Sequence, residues 1–197
     1  MAKKAIVITI LLFTSLLGFT QEENEKKDMY GYLLAQPTIS PGFMTEGGFM
    51  NSYFHATLEY FPEKKFSLRT DGLYFLSTQG DVQPIAFSHK MFLGVFYHHT
   101  LKNSSYYFGF QPGAAYSKQN AYSYNDSLVT NPPLRVSGLI GISAGVNYYF
   151  WKIFNFFLAV HYNHGVYIPE YGEAMSLGEF RIAGGLGWNF RIRKPKN

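Results

Sequence analysis

From about residue 30 to residue 190 the chain alternates apolar and polar side chains with a period of two, and no segment of that stretch has helical spacing. In 49–61 the even positions are Met50, Ser52, Phe54, Ala56, Leu58 and Tyr60, while Asn51, His55, Thr57 and Glu59 hold odd ones. In 136–150 the even positions run from Val136 through Ile140, Ile142 and Val146 to Phe150. Ser137, Gly141, Ser143, Gly145 and Asn147 stand between them. The same split recurs in 156–167, with Phe156, Leu158, Val160 and Tyr162 against His161 and Asn163. In 178–190 it sets Phe180, Ile182, Leu186, Trp188 and Phe190 against Glu179, Arg181, Ala183 and Asn189. Side chains alternate across a strand, so each segment is a strand with one greasy face and one polar or small face.

Three further segments carry the period less cleanly. Arg69 and Asp71 of 66–77 share a side with Leu73 and Phe75, and Ser88, Lys90, Gly94 and His98 of 87–99 share one with Phe92 and Phe96. In 106–117, Gln111 and Gly113 stand opposite Phe108, Phe110 and Pro112. A first strand falls within 30–40, interrupted by Pro37. That makes about eight strands of roughly 10–14 residues, against the roughly 9–11 that a membrane-crossing strand needs. Short connections (62–65, 100–105, 151–155) alternate with longer ones (41–48, 78–86, 118–134, 168–176). Alternation of that kind is the hairpin pattern of an all-β, eight-stranded antiparallel transmembrane barrel, with short periplasmic turns and long outer loops.

Composition decides which face points outward. The chain is 47% hydrophobic and 19% aromatic but only 15% charged, where a soluble domain carries about 25%. Its mean hydropathy of −0.09 excludes a bundle of membrane helices. With no Cys there is no disulfide scaffold, thiolate metal site or cysteine nucleophile. The polar face is too poor in charge for a solvated exterior, and its Gly, Ser, Ala and Asn suit the narrow interior of an eight-stranded barrel, where bulky residues are expected to clash. Two aromatic belts are expected at the headgroup levels. One holds Tyr60, Phe61, Phe66, Tyr106, Tyr148, Phe150, Trp151, Phe154, Phe156, Trp188 and Phe190; the other holds Tyr74, Tyr116, Tyr167 and Tyr171.

The N-terminus reads as an address. Lys3 and Lys4 precede the uncharged run 5–19, too short to span a bilayer, and Gly18 and Thr20 stand at the −3 and −1 positions of a cleavage before Gln21. The expected organisation is a signal peptide over 1–20, a polar segment over 21–29, the barrel over 30–190 and a basic tail over 191–197. Loss of Lys3 and Lys4 lowers the formal charge from 17 − 13 = +4 to 15 − 13 = +2, and no basic stripe for nucleic acid remains.

The closing stretch Gly185-Leu186-Gly187-Trp188-Asn189-Phe190 is similar to the C-terminal signal by which barrel-assembly machinery recognises its clients. It departs from that pattern at Ala183, where a polar residue is expected, and in the tail that follows the aromatic. Together with the architecture, it makes the chain resemble the small eight-stranded outer-membrane β-barrel proteins, the class of outer membrane protein A-type transmembrane domains and opacity-like barrels. The resemblance implies an outer-membrane location. It implies contact with outer-membrane lipid and lipopolysaccharide, and a passage through the assembly machinery in which Gly185, Trp188 and Phe190 are read.

Parity sends Glu59, Arg69, Asp71, Lys90, Arg135, Glu179 and Arg181 inward. Charges in a narrow lumen must pair, because an uncompensated one costs several kcal/mol, so the expectation is a closed, salt-bridged lumen. Adjacent His98 and His99 point to opposite faces, as do His161 and His164, and inward His55, His98 and His161 are expected at different heights; neither a metal nor another cofactor is expected. His161-Tyr162-Asn163-His164-Gly165 resembles the His-x-Ser-Asn stretch of outer-membrane lipid A deacylases, but Asn163 stands where the nucleophilic Ser belongs. The expectation is therefore a non-enzymatic structural or interaction protein, with a lipid-modifying enzyme or a small channel as alternatives. The polar, Tyr-bearing loop 118–134 is the expected contact to other envelope proteins.

Overall fold

The computed structural model describes residues 28–80, 84–124, 127–129, 132–169 and 173–193, with only the backbone described for 122–124 and 127–129. The expected signal peptide and most of the polar N-terminal segment lie outside the described residues. Eight strands, β1 (Tyr32–Met44), β2 (Met50–Tyr60), β3 (Phe66–Gln79), β4 (Ile85–Leu101), β5 (Ser104–Gln119), β6 (Arg135–Tyr149), β7 (Phe154–Tyr167) and β8 (Glu179–Arg191), pair with their chain neighbours. β8 pairs antiparallel with β1, which closes the barrel. A closed sheet has no lipid-exposed edge, so the backbone amides and carbonyls bond strand to strand.

Burial follows the parity read from the sequence. Phe54, Leu58, Leu68, Leu93, Phe108, Ile140, Leu158 and Ile182 are exposed on the outside, while Asn51, His55, Ser67, Gln111, Ser143 and Asn163 are buried inside. A soluble barrel buries its apolar side chains. Here the polar ones are enclosed and a continuous apolar face is turned outward, as lipid requires.

Three expectations are corrected. β1 runs through both Pro37 and Pro41 to Met44, four residues past the expected end. β3, β4 and β5 are 14, 17 and 16 residues long, so the connections at 45–49 and 80–84 shrink to the size of the turn at 61–65. Alternation is therefore not strict, and the outer end is marked by the connections 120–134 and 168–178. In the tight turn between β4 and β5, Lys102 takes a left-handed φ of 48°, the backbone state that short hairpins demand.

Bulky residues also enter the lumen. Phe92, Phe96, Tyr107 and Phe157 are buried. They fit because neighbouring strands are notched opposite them. A Cβ on Gly109 meets the Phe96 ring, one on Gly113 the Phe92 ring, and one on Gly145 the Tyr107 hydroxyl. Single-strand parity cannot reveal those notches, because they depend on which residues the cross-strand register brings together.

Candidate functional site: a plugged lumen

Parity places three carboxylates and four cations on the inner wall at staggered heights, and the register brings the carboxylates together with three of the cations, Arg69, Lys90 and Arg181. Nearest the short turns, Glu59 Oε2 accepts from Arg69 Nη2 at 2.8 Å, and Glu59 Oε1 lies 3.0 Å from His98 Nε2 and accepts from Ser67. The Arg69 guanidinium is held between the rings of Phe96 and Tyr107, with each centroid 4.1 Å away. Ring faces on both sides replace the water that the cation has lost.

One layer up, Asp71 takes hydrogen bonds from Thr57 and Gln111 and sits 3.1 Å from His55 Nε2. The Ser143 hydroxyl donates to Gln111 Oε1 and lies 2.8 Å from His161 Nδ1. The His55 and His161 rings are 5.2 Å apart, so these two histidines share a height, contrary to expectation. His98 stands in the lower layer.

The third layer is centred on Glu179. Lys90 Nζ approaches its Oε2 at 3.0 Å, Arg181 Nη1 its Oε1 at 3.3 Å, and Tyr53 and Asn51 donate to Oε2 at 2.7 and 3.1 Å. Arg181 also donates to Asn163 Oδ1 at 2.7 Å. Arg135 does not join Glu179 in these contacts. Half-buried at the start of β6, it stands opposite Ser117 at the mouth. The remaining six charges balance at three against three.

An apolar seal lies at each end of this column. Met44, Phe49, Leu73, Ile85, Leu139, Tyr167 and Leu177 pack at the outer end. Met29, Leu34, Phe61 and Tyr149 pack at the other. Phe61 and Tyr167, expected in the belts, are thus inside: Phe61 follows the last residue of β2 and folds over the lumen. Tyr171 lies outside the described residues. The belts themselves are carried by residues such as Phe66, Tyr106, Trp151, Phe156 and Phe190 at one end and Tyr74 and Tyr116 at the other. Sequence parity found the inward charges; it missed the seals, because a lone aromatic beyond a strand end carries no period.

In the segment resembling the deacylase stretch, His161 and Asn163 face inward and are buried while His164 faces outward, so the three do not form one constellation. Of the expected assembly signal, Trp188 and Phe190 lie on the outer face, and Gly185 faces the lumen near Phe157. Loop 118–134 carries a separate two-stranded hairpin, 122–124 against 127–129. Tyr167 donates to the Pro133 carbonyl at its base.

No family model and no curated protein matches the chain. Solved structures do. The N-terminal β-barrel domain of Pseudomonas aeruginosa OprF is similar with 16% identity and a TM-score of 0.55, over 82% of this chain and 98% of that one. The outer membrane protein OprG from the same organism reaches 0.59 at 12% identity, over 83% and 97%. Neisserial surface protein A gives 0.54 at 13% identity, over 81% and 96%. The chain therefore has the fold of the small eight-stranded outer-membrane β-barrels.

Proposed function

We propose that the protein is an exported outer-membrane component that works as a sealed scaffold, acting through its outer loops and envelope partners rather than by passing solutes. The observation that carries this reading is the column itself, three polar layers between two apolar seals. Each layer pairs its carboxylate with a cation or a histidine, so both signs are present along the column and no single-sign path runs the length of the lumen. Contact with outer-membrane lipid and lipopolysaccharide, assembly through the barrel machinery and recognition by loop 118–134 belong to the same proposal. The loop's anchored base and its self-paired hairpin support it.

The test is electrical. In planar bilayers the folded protein is expected to give no steady single-channel current. Steps of one reproducible amplitude from heat-modifiable, folded material overturn the sealed reading. Cleavage of the exported chain before Gln21, read from the mass of the mature protein, checks the export step.

A further inference from the structure

The two ends of the barrel differ in charge. Among the described residues, the turns and termini at the short-turn end carry Lys64, Lys65, Lys102, Lys152, Arg191 and Arg193 against Asp28 and Glu63. The outer connections and strand ends carry Lys118 and Arg135 against Glu46 and Glu173. This asymmetry surrounds a groove of about 400 Å³ between the N-terminal lead-in to β1 and the β2–β3 turn, lined by Tyr30, Pro62, Glu63, Lys64, Lys65 and Phe66.

The groove has a graded chemistry. On its solvent side, Lys64 is engaged by Asp28 at 3.2 Å, whereas exposed Lys65 forms no ion pair among the described residues. Arg193 lies over the Tyr30 ring at 5.9 Å, which adds a third cation to the same wall. Gly31 makes that approach possible: at φ 73° its carbonyl accepts the Arg193 amide, and a Cβ there collides with the Arg193 backbone. On the other side Phe66 stacks edge-on against Tyr97 at 5.5 Å, and the exposed Leu68 and Val95 continue the apolar track down the outside of β3 and β4.

We propose that this groove is a binding site for an anionic glycerophospholipid of the leaflet on the short-turn side. The phosphate lies against Lys65, Lys64 and Arg193, the glycerol against Tyr30, and an acyl chain along Phe66 and Leu68. An anion at the membrane boundary answers the cations, and the apolar track answers the tail; a soluble acidic ligand uses only the first. The site goes beyond the sealed-scaffold reading and does not depend on it, since it lies on the outer surface.

The experiment is native mass spectrometry of the full mature chain, released from detergent with phosphatidylglycerol or phosphatidylcholine. It compares the wild type, a K64Q/K65Q/R193Q variant and a K102Q/K152Q control that removes charge from the other turns. Heat-modifiability establishes that each is folded. The expected result is phosphatidylglycerol retained in preference to phosphatidylcholine, with affinity falling about fivefold per groove charge removed and little changed in the control. Equal retention of both lipids, or an equal fall in the control, overturns the site. Binding that rises only when residues 21–27 are removed also overturns it, with that polar, Glu-bearing segment as the occupant.

Discussion

At the scale of single residues, the glycines of the inner wall are shaped recesses. Gly109 is one: a methyl group there runs into the Phe96 ring and the Val95 carbonyl. G109A is therefore expected to cost about 1–3 kcal/mol, the range for overpacking. Gly138, on the lipid face, leaves a methyl carbon nothing to meet within 4 Å, and G138A is expected to be neutral within about 0.5 kcal/mol. Urea unfolding from lipid vesicles compares the two; equal effects show that the recess is immaterial. The Glu59–Arg69 pair invites a sharper measurement. E59Q leaves a guanidinium without its carboxylate and is expected to cost about 3–5 kcal/mol, whereas E59Q/R69M removes both charges and recovers most of the loss. A double variant as unstable as the sum of its parts overturns that expectation.

At the scale of elements, the seam between β1 and β8 departs from the rest of the barrel. Pairing runs from Tyr32↔Arg191 to Ala35↔Trp188 and resumes in the same register at Gly42↔Arg181. Backbone bonds from Thr45 to Gly178 and from Ile192 to Gly31 show that odd-numbered residues of β1 face β8. Pro37 and Pro41 thus stand on the closing side and withhold two amide donors from it. Side-chain hydroxyls bond across this stretch: Ser40 Oγ donates to the Ile182 carbonyl at 2.8 Å, and Thr38 Oγ1 to that of Gly184, which faces Ile39, at 2.7 Å. By register Ile182 is the partner Pro41 cannot serve. S40A is expected to destabilise by about 1–3 kcal/mol by orphaning that carbonyl. S40A/P41V restores an amide and is expected to recover stability, measured as the urea midpoint; no recovery means that the prolines do not define the seam. The strands and their inward charges were legible in the sequence because a period of two survives in each strand. The seam was not, since Pro37 reads as an interruption until the register shows which neighbour it faces. The same limit hid the aromatic lumen, since Phe96 and Gly109 lie on different strands and only pairing joins them.

At the scale of the molecule, the barrel and its longest loop are separate in what holds them. Barrel closure rests on eight strand pairings, the ionic column and the two seals. The hairpin 122–124/127–129 pairs within itself as a second sheet. The loop's return is fixed lower down, where Pro132 is buried and Tyr167 donates to Pro133. Excising 121–130 while keeping Pro132 and Pro133 therefore removes no strand pairing of the barrel and shortens the connection, for which closure entropy changes by well under about 1 kcal/mol. The excised protein is expected to keep its heat-modifiable mobility and a urea midpoint within about 1 kcal/mol of the parent. Removing Tyr167's hydroxyl instead (Y167F) is expected to loosen the loop base without opening the barrel, read as faster proteolysis within 118–134 at unchanged heat-modifiability. Loss of the folded band on excision overturns this division, because the loop is then part of what closes the barrel and not a segment free to be specialised for recognition.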